Sequence, residues 1–244
     1  MSFFGLRFDL RNPDIAGTTM AERYRAALDM AEWADGLGFV VIVLSEHHGS
    51  ADGYLPSPLA MAAAMAARTE HARIQIAALI APFHDPLRLA EDIAVVDLLS
   101  GGRLDLVIAN GYVPGEFDMF GCELSDRVKR TTETVRTLKE AWTGAPFEFR
   151  GRTVQVTPAP AQPGGPKISL GGSGPAAARR AARIADGFMP SSPEIWDVYR
   201  DEMQKLGKAD PGPSLGGDTS AFHVARDVEQ GWAEYAPFAL HEVN

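Results

Sequence analysis

The chain has one cysteine, Cys122, in 244 residues, so no internal disulfide framework is open to it. That usage fits a reducing compartment. Basic residues are scarce beside acidic ones, 23 Lys and Arg against 32 Asp and Glu, for a net charge of −9. No basic run offsets the balance, which argues against nucleic acid or an anionic membrane surface as a partner. Apolar runs stay well short of the roughly 18 residues a membrane helix needs. The opening MSFFGLRFDL carries Arg7 and Asp9 inside too short an apolar stretch for a signal peptide. There is no repeat of fixed period. The expectation is a soluble cytoplasmic protein, and a chain of this length suits one α/β domain over residues 1–244.

What is present is an alternation of strand and helix. Phe39–Leu44 is an apolar run rich in valine and isoleucine, the pattern of a strand buried on both faces. Ser45, Glu46, His47 and His48 follow at once, and titratable groups at the C-terminal end of a buried strand mark where α/β barrels keep their chemistry. Strands are expected at Phe3–Asp9, Phe39–Leu44, Arg73–Leu79, Arg103–Ala109, Lys167–Leu170, Gly187–Met189 and Asp218–Ala225. Helices fill the intervals, with Thr18 or Thr19 capping the first, Ser57 the second, and Pro58 at the second's opening position. Around residues 146–157 a Gly-Arg pair between short β segments predicts a hairpin outside the main sheet. Seven β/α units point to a parallel barrel or a doubly wound sheet.

Several positions carry candidate chemistry. Gly171, Gly172, Ser173 and Gly174 follow a strand, and Pro175 opens a helix. Glycines admit an anion close to the backbone, and the N–H groups at a helix start point toward it. The alternative is an ordinary glycine-rich turn. The spacing is not a GxGxxG dinucleotide fingerprint. Adjacent His47 and His48 cannot both face one way, so at most one enters the mouth. Asn110, ahead of Gly111 and Tyr112, ends the fourth strand with an amide suited to a ligand edge. Trp33 and Trp142 read as helix-packing residues, and Cys122 carries no assigned chemistry.

Four segments in register give the chain a resemblance to a known family: LSEHH, IAALIAPFHDPLRLAEDIAVVDLLSGGRLDLVIANG, GEFDMFG, and ISLGGSGP with the following ADG. Together they resemble the bacterial-luciferase-like family of flavin- and deazaflavin-dependent oxidoreductases, over roughly Leu6 to Val224. The resemblance implies a TIM-type (β/α)8 barrel. The last strand expected of such a barrel is not found before Asn244. It implies a functional histidine at His47, acting on the substrate or on the oxygen adduct of the reduced flavin, with His48 and Glu46 in supporting roles. It implies a strand bulge at Ala77 and Ala78, often with a non-proline cis peptide, backing the flavin ring. The residues read above as cofactor candidates, Asn110 and the turn Gly171–Gly174, fall in these segments, and for Asn110 the alternative is an Asn-Gly turn with no ligand.

The expected function is that of a luciferase-like monooxygenase, using reduced FMN and oxygen on a small organic substrate. A separate flavin reductase would supply the FMN, and the expected assembly is a homodimer. The alternative within the family is a deazaflavin (coenzyme F-420) enzyme transferring hydride. Asn110, where luciferase has an arginine, is compatible with it. A metal-dependent hydrolase using His47, His48, Asp9 and His84 needs ligands converging from several strand ends. No HxH pair supports it, and no metal site is assigned. A non-catalytic flavin-binding protein is the remaining alternative.

Overall fold

The computed structural model describes residues 3–214 and 224–243. The elements run β1 (Gly5–Phe8), α1 (Met20–Gly36), β2 (Val41–Leu44), α2 (Pro58–Ala66), β3 (Arg73–Ile80), α3 (Pro86–Leu99), β4 (Leu104–Ala109) and α4 (Pro114–Met119). Then come α5 (Arg127–Ala141), β5 (Phe147–Phe149), β6 (Arg152–Val154), β7 (Ile168–Gly172), α6 (Pro175–Ile184), β8 (Gly187–Pro190), α7 (Glu194–Lys205) and α8 (Val228–Val243).

Six strands form one parallel sheet in the order β1-β2-β3-β4-β7-β8. Sequential strands are neighbours, and α1, α2, α3, α5 and α6 make the crossovers, as a barrel wall requires. Among the described residues the wall is not closed into a barrel. The seventh strand expected over Asp218–Ala225 lies, except for its last two residues, outside the described residues. Val224 and Ala225 are not in a strand. β5 and β6 pair antiparallel apart from this sheet, as the sequence predicts. Their turn is Arg150-Gly151, both at positive φ (48° and 75°), the left-handed pair that a two-residue hairpin favours.

Lateral pairing sorts the side chains by face. Leu44, Ile76, Leu106 and Ile168 sit side by side across β2, β3, β4 and β7, and all are buried. They join one core with Ala31 of α1, Met65 of α2, Ile93 of α3, Leu138 of α5 and Ala181 of α6. The other face is half-buried and partly polar: Val43, Gln75 and Asp105 lie abreast, and Arg73 donates to Asp105 through Nη2 at 2.7 Å. Phe39–Leu44 is therefore not buried on both faces throughout. The strand starts at Val41 and alternates half-buried with buried.

Local signals place the helix starts. Thr19 accepts the Glu22 N–H at 3.2 Å while Glu22 accepts the Thr19 N–H at 2.8 Å, a reciprocal capping box. Asp85 caps α3 through the N–H groups of Leu87 and Arg88. Ser57 makes no side-chain cap, and Pro58 alone marks the start of α2. Trp142 packs as expected, 3% exposed with Nε1 donating to Ala90 O at 3.2 Å. Trp33 does not; it is exposed on α1 with Phe39 beside it.

Asp35, buried near the end of α1, organises the turn before β3. Its carboxylate accepts the backbone N–H groups of Glu70, His71 and Ala72, at 2.8, 3.0 and 2.5 Å. Burial pushes its pKa up, but the three amides outweigh that and hold it below the ordinary carboxylate value. Asp35→Ala should cost about 2–3 kcal/mol, since the amides lose their acceptor. A depressed native pKa contributes stability above the unfolded-state value and loses it as pH falls through the native value. Denaturant midpoints of both proteins across pH 2–7 check this, and the gap should narrow only at the acid end.

Candidate active site

The C-terminal ends of the parallel strands carry the candidate residues. Register sets their order across the mouth. Phe8 lies beside Leu44, Leu44 beside Ile76, and Ile108 beside Leu170. Asp9 and Arg11 therefore follow β1, Ser45 to His48 follow β2, the Ala77–Ala78 bulge lies in β3, Asn110 follows β4, and the Gly171–Gly174 turn ends β7. β2 and β7 are three strand spacings apart, roughly 14 Å at the usual interstrand distance. His47 and the glycine turn thus flank opposite sides of β3 and β4.

The β2 end is built on Glu46, which is 2% exposed. Its Oε1 accepts from His48 Nε2 at 2.9 Å and His84 Nε2 at 3.1 Å, and its Oε2 accepts the Ile80 N–H at 2.6 Å. Burial raises its pKa, yet these donors together hold it below the ordinary glutamate value. His48 turns into a ring cluster with Phe83 and Phe120, at centroid distances of 5.4 and 4.6 Å. Its ring is thereby committed to the protein.

His47 points the other way, in the loop beyond the end of β2. Its Nδ1 is 2.8 Å from Glu116 Oε1, and the same oxygen accepts the His48 N–H at 2.9 Å. Glu116 is 3% exposed, and its Oε2 has no hydrogen-bond partner. Tyr54 and Tyr112 meet the His47 ring edge-on at 4.8 and 5.9 Å. The loop is held to β1 by Leu55, which donates to Asp9 O at 2.8 Å and accepts the His47 N–H at 3.2 Å. Beside His47 lies a cavity of about 490 Å³.

β3 carries a register shift between Ala77 and Leu79 against β4, and the Ala77–Ala78 peptide is cis. On either side of the bulge two buried polar atoms have no partner, Ser45 Oγ and Asn110 Oδ1. Gly111 turns the chain away with φ 71°, and a Cβ there would come within 2.9 Å of Ile80 and 3.0 Å of Phe117. Gly171 and Gly172 still belong to β7, Ser173 is exposed, and α6 starts at Pro175. A Cβ on Gly172 would lie 2.4 Å from the Ala177 Cβ, so that glycine is demanded by helix–strand packing. Gly171 meets nothing closer than 3.5 Å.

Every residue predicted for the site therefore stands on the mouth, split between a His47 side and a glycine-turn side. Sequence reasoning missed Glu116, Ser45, Tyr54 and Arg11. Glu116 lay within GEFDMFG without a role. An acid in the first turn of a short helix otherwise reads as a solvated cap. Among the described residues no group of three or more His, Cys, Asp or Glu is arranged to hold a metal ion. No helix among them is long and apolar enough to cross a membrane.

Comparison with known proteins matches residues 6–243 to the sequence profile of the luciferase-like monooxygenases. The chain is 30% identical to the FMNH(2)-dependent dimethylsulfone monooxygenase of Pseudomonas putida, over 68% of this chain and 48% of that protein. It is 29% identical to an F420-dependent glucose-6-phosphate dehydrogenase of Amycolatopsis mediterranei, over 75% of this chain and 58% of that one. Among solved structures, the monooxygenase RslO1 from Streptomyces bottropensis superposes with a TM-score of 0.83 at 27% identity. That match covers 98% of this chain and 76% of RslO1. The chain thus spans about half the length of the two enzymes it matches by sequence.

The Glu46 arrangement makes a direct prediction. Glu46→Ala leaves two imidazoles and a backbone amide without their acceptor in a sealed site, which should cost about 3–5 kcal/mol. Because Glu46 has a depressed pKa, its contribution is complete above the unfolded glutamate value and disappears as pH falls through the native one. Urea melts near neutral pH check the magnitude. A change below about 1 kcal/mol would mean that Glu46 does not hold the mouth together.

Proposed function

The chain belongs to the luciferase-like monooxygenase family, and on that premise we propose that it is a flavin-dependent oxidoreductase whose substrate binds beside His47. The preferred assignment is a monooxygenase working on a small organic molecule with reduced FMN, supplied by a separate reductase. One observation carries it. The bulge at Ala77–Ala78 is flanked by two unpartnered buried acceptors, Ser45 Oγ and Asn110 Oδ1, with a glycine turn on one side and an oriented histidine on the other.

A buried polar atom without a partner is costly, and a ligand that donates to it removes the cost. A bound flavin would offer an N–H donor at its polar ring edge, so the residues present fit a flavin-type group, with Ser45 and Asn110 the ones that would hold it. The Gly171–Gly174 turn and the Ser173 hydroxyl stand at the start of α6, where backbone N–H groups favour a phosphate. When bound, reduced FMN would supply the electrons and the activation of oxygen.

The chain's own part is orientation and proton handling. Glu116 fixes the His47 ring by accepting a hydrogen bond from Nδ1–H, which leaves Nε2 as the nitrogen for a bound substrate. Tyr54 and Tyr112 brace the ring edge-on, and Phe83, the buried Phe117 and the part-exposed Phe120 pack together behind the β2 loop. A second reading keeps this geometry and changes the cofactor to F420. Asn110 supports it, because the amide brings no positive charge to the β4 end.

His47→Ala should leave flavin affinity within a few-fold while cutting turnover by roughly 10²–10⁴, the worth of a positioned acid–base group. Glu116→Gln should lower turnover less and shift its pH profile, since the amide holds the ring without the charge. Ser173→Ala should weaken cofactor binding about tenfold, equivalent to roughly 1.4 kcal/mol. Fluorescence titration with FMN and with F420, alongside oxygen consumption, decides between the two cofactors. Binding of neither overturns the proposal.

A further inference from the structure

The cavity beside His47 has an uneven charge balance. Of the residues lining it, Asp52, Glu116 and Glu242 are carboxylates, and Arg11 is the one guanidinium. Arg11 is already engaged: Nε and Nη2 lie 3.0 and 2.9 Å from Asp9 Oδ2, and Nη2 lies 3.1 Å from Glu242 Oε1. Its guanidinium carbon also sits 5.3 Å from the centre of the Tyr54 ring. Asp52 accepts from Ser50 and lies 2.8 Å from His241 Nε2. Even with His241 protonated, the lining carboxylates Asp52, Glu116 and Glu242 outnumber Arg11 and His241, three to two, and Asp9 behind Arg11 adds a fourth.

A substrate carboxylate, sulfonate or phosphate entering here would find no uncommitted cation and several carboxylates. A cation would find carboxylates that already have partners and one carboxylate oxygen, Glu116 Oε2, that has none. The buried Glu116, which lines the cavity, keeps an oxygen without a partner. Tyr54 also lines the cavity, and its ring already takes a cation, with the Arg11 guanidinium carbon 5.3 Å from its centre. The asymmetry is local, because the glycine turn suited to a cofactor phosphate stands across the sheet on β7.

We propose that the His47 cavity selects an organic cation, an ammonium or N-alkylated compound of small size, over an anion of the same shape. Asp52 and Glu242 would set that preference at the entrance. The inference rests on the reading of this cavity as the substrate site and adds the charge class of the substrate. The α8 helix contributes through His241 and Glu242, which reach back to the loops after β1 and β2.

The test uses two probes of similar size, benzyltrimethylammonium and phenylmethanesulfonate, titrated into the purified protein by calorimetry. The ammonium should bind at least tenfold tighter than the sulfonate, and added salt should reduce the difference. The double substitution Asp52→Asn with Glu242→Gln should shrink the ratio at least threefold. Because Glu242 is largely exposed, Glu242→Gln alone gives a fold-safe version with a smaller change in the same direction. Equal binding of both probes, binding of neither at millimolar concentration, or an unchanged ratio in the double variant overturns the inference. Titration of the same samples with FMN and F420 separates the two levels. Intact cofactor binding with the wrong charge preference sinks this inference alone. Lost cofactor binding with the preference intact sinks the flavin reading alone.

Discussion

A carboxylate shut away from water must be given donors or be protonated, and the mouth of this sheet is assembled around one that is given them. Glu46 draws His48 from its own loop, His84 from the loop after β3, and the Ile80 amide from β3 itself onto two oxygens. Two segments, the loop after β2 and the end of β3 with its following loop, 34 to 38 positions away, are thereby held within a hydrogen bond of one point. With His48 tied to Glu46, the adjacent His47 is left to meet Glu116 beside the cavity. With Ile80 fixed, the bulge at Ala77–Ala78 has a firm end to start from. The ionised state of Glu46 and the orientation of the reactive side are consequences of the same set of contacts.

Around that anchor the mouth divides its labour along the sheet. The β1 and β2 loops carry the titratable groups and the cavity, while β4 and β7 carry an amide and a glycine turn with little charge. The division follows from strand order, because β3 stands between the two sides and contributes only backbone and small side chains. Alanine at 77 and 78 leaves room over the sheet that larger residues would fill. Unpartnered acceptors, Ser45 Oγ and Asn110 Oδ1, stand at both flanks.

Glu116 illustrates how a second carboxylate acquires a different task in the same mouth. It comes from α4, a single short helix after β4, and reaches across to β2, where it takes the His47 ring and the His48 amide. Glu46 has both oxygens engaged. Glu116 has one oxygen engaged and one without a partner. The first is a structural tie, and the second retains capacity to respond to whatever binds beside His47.

Much of this was legible in the residues themselves. Valine- and isoleucine-rich runs followed by glycine turns announced the parallel strands, Pro58 and Thr19 marked helix starts, and GGSGP and LSEHH marked the strand ends that matter. These are local signals, set by backbone propensity and by spacing along one segment. Burial on both sides was overestimated for Phe39–Leu44 because a continuous apolar run does not say which face meets the helices. Gly172 looked like an anion-binding glycine, and its neighbour Ala177 shows a packing demand that no linear pattern reveals. The pairing of His47 with Glu116, 69 positions apart, and the convergence of His48, His84 and Ile80 on Glu46 belong to tertiary structure alone. Sequence could name the histidines, the glutamates and the strand ends. Which oxygen meets which ring is decided only when the parallel register brings separate loops to one edge of the sheet.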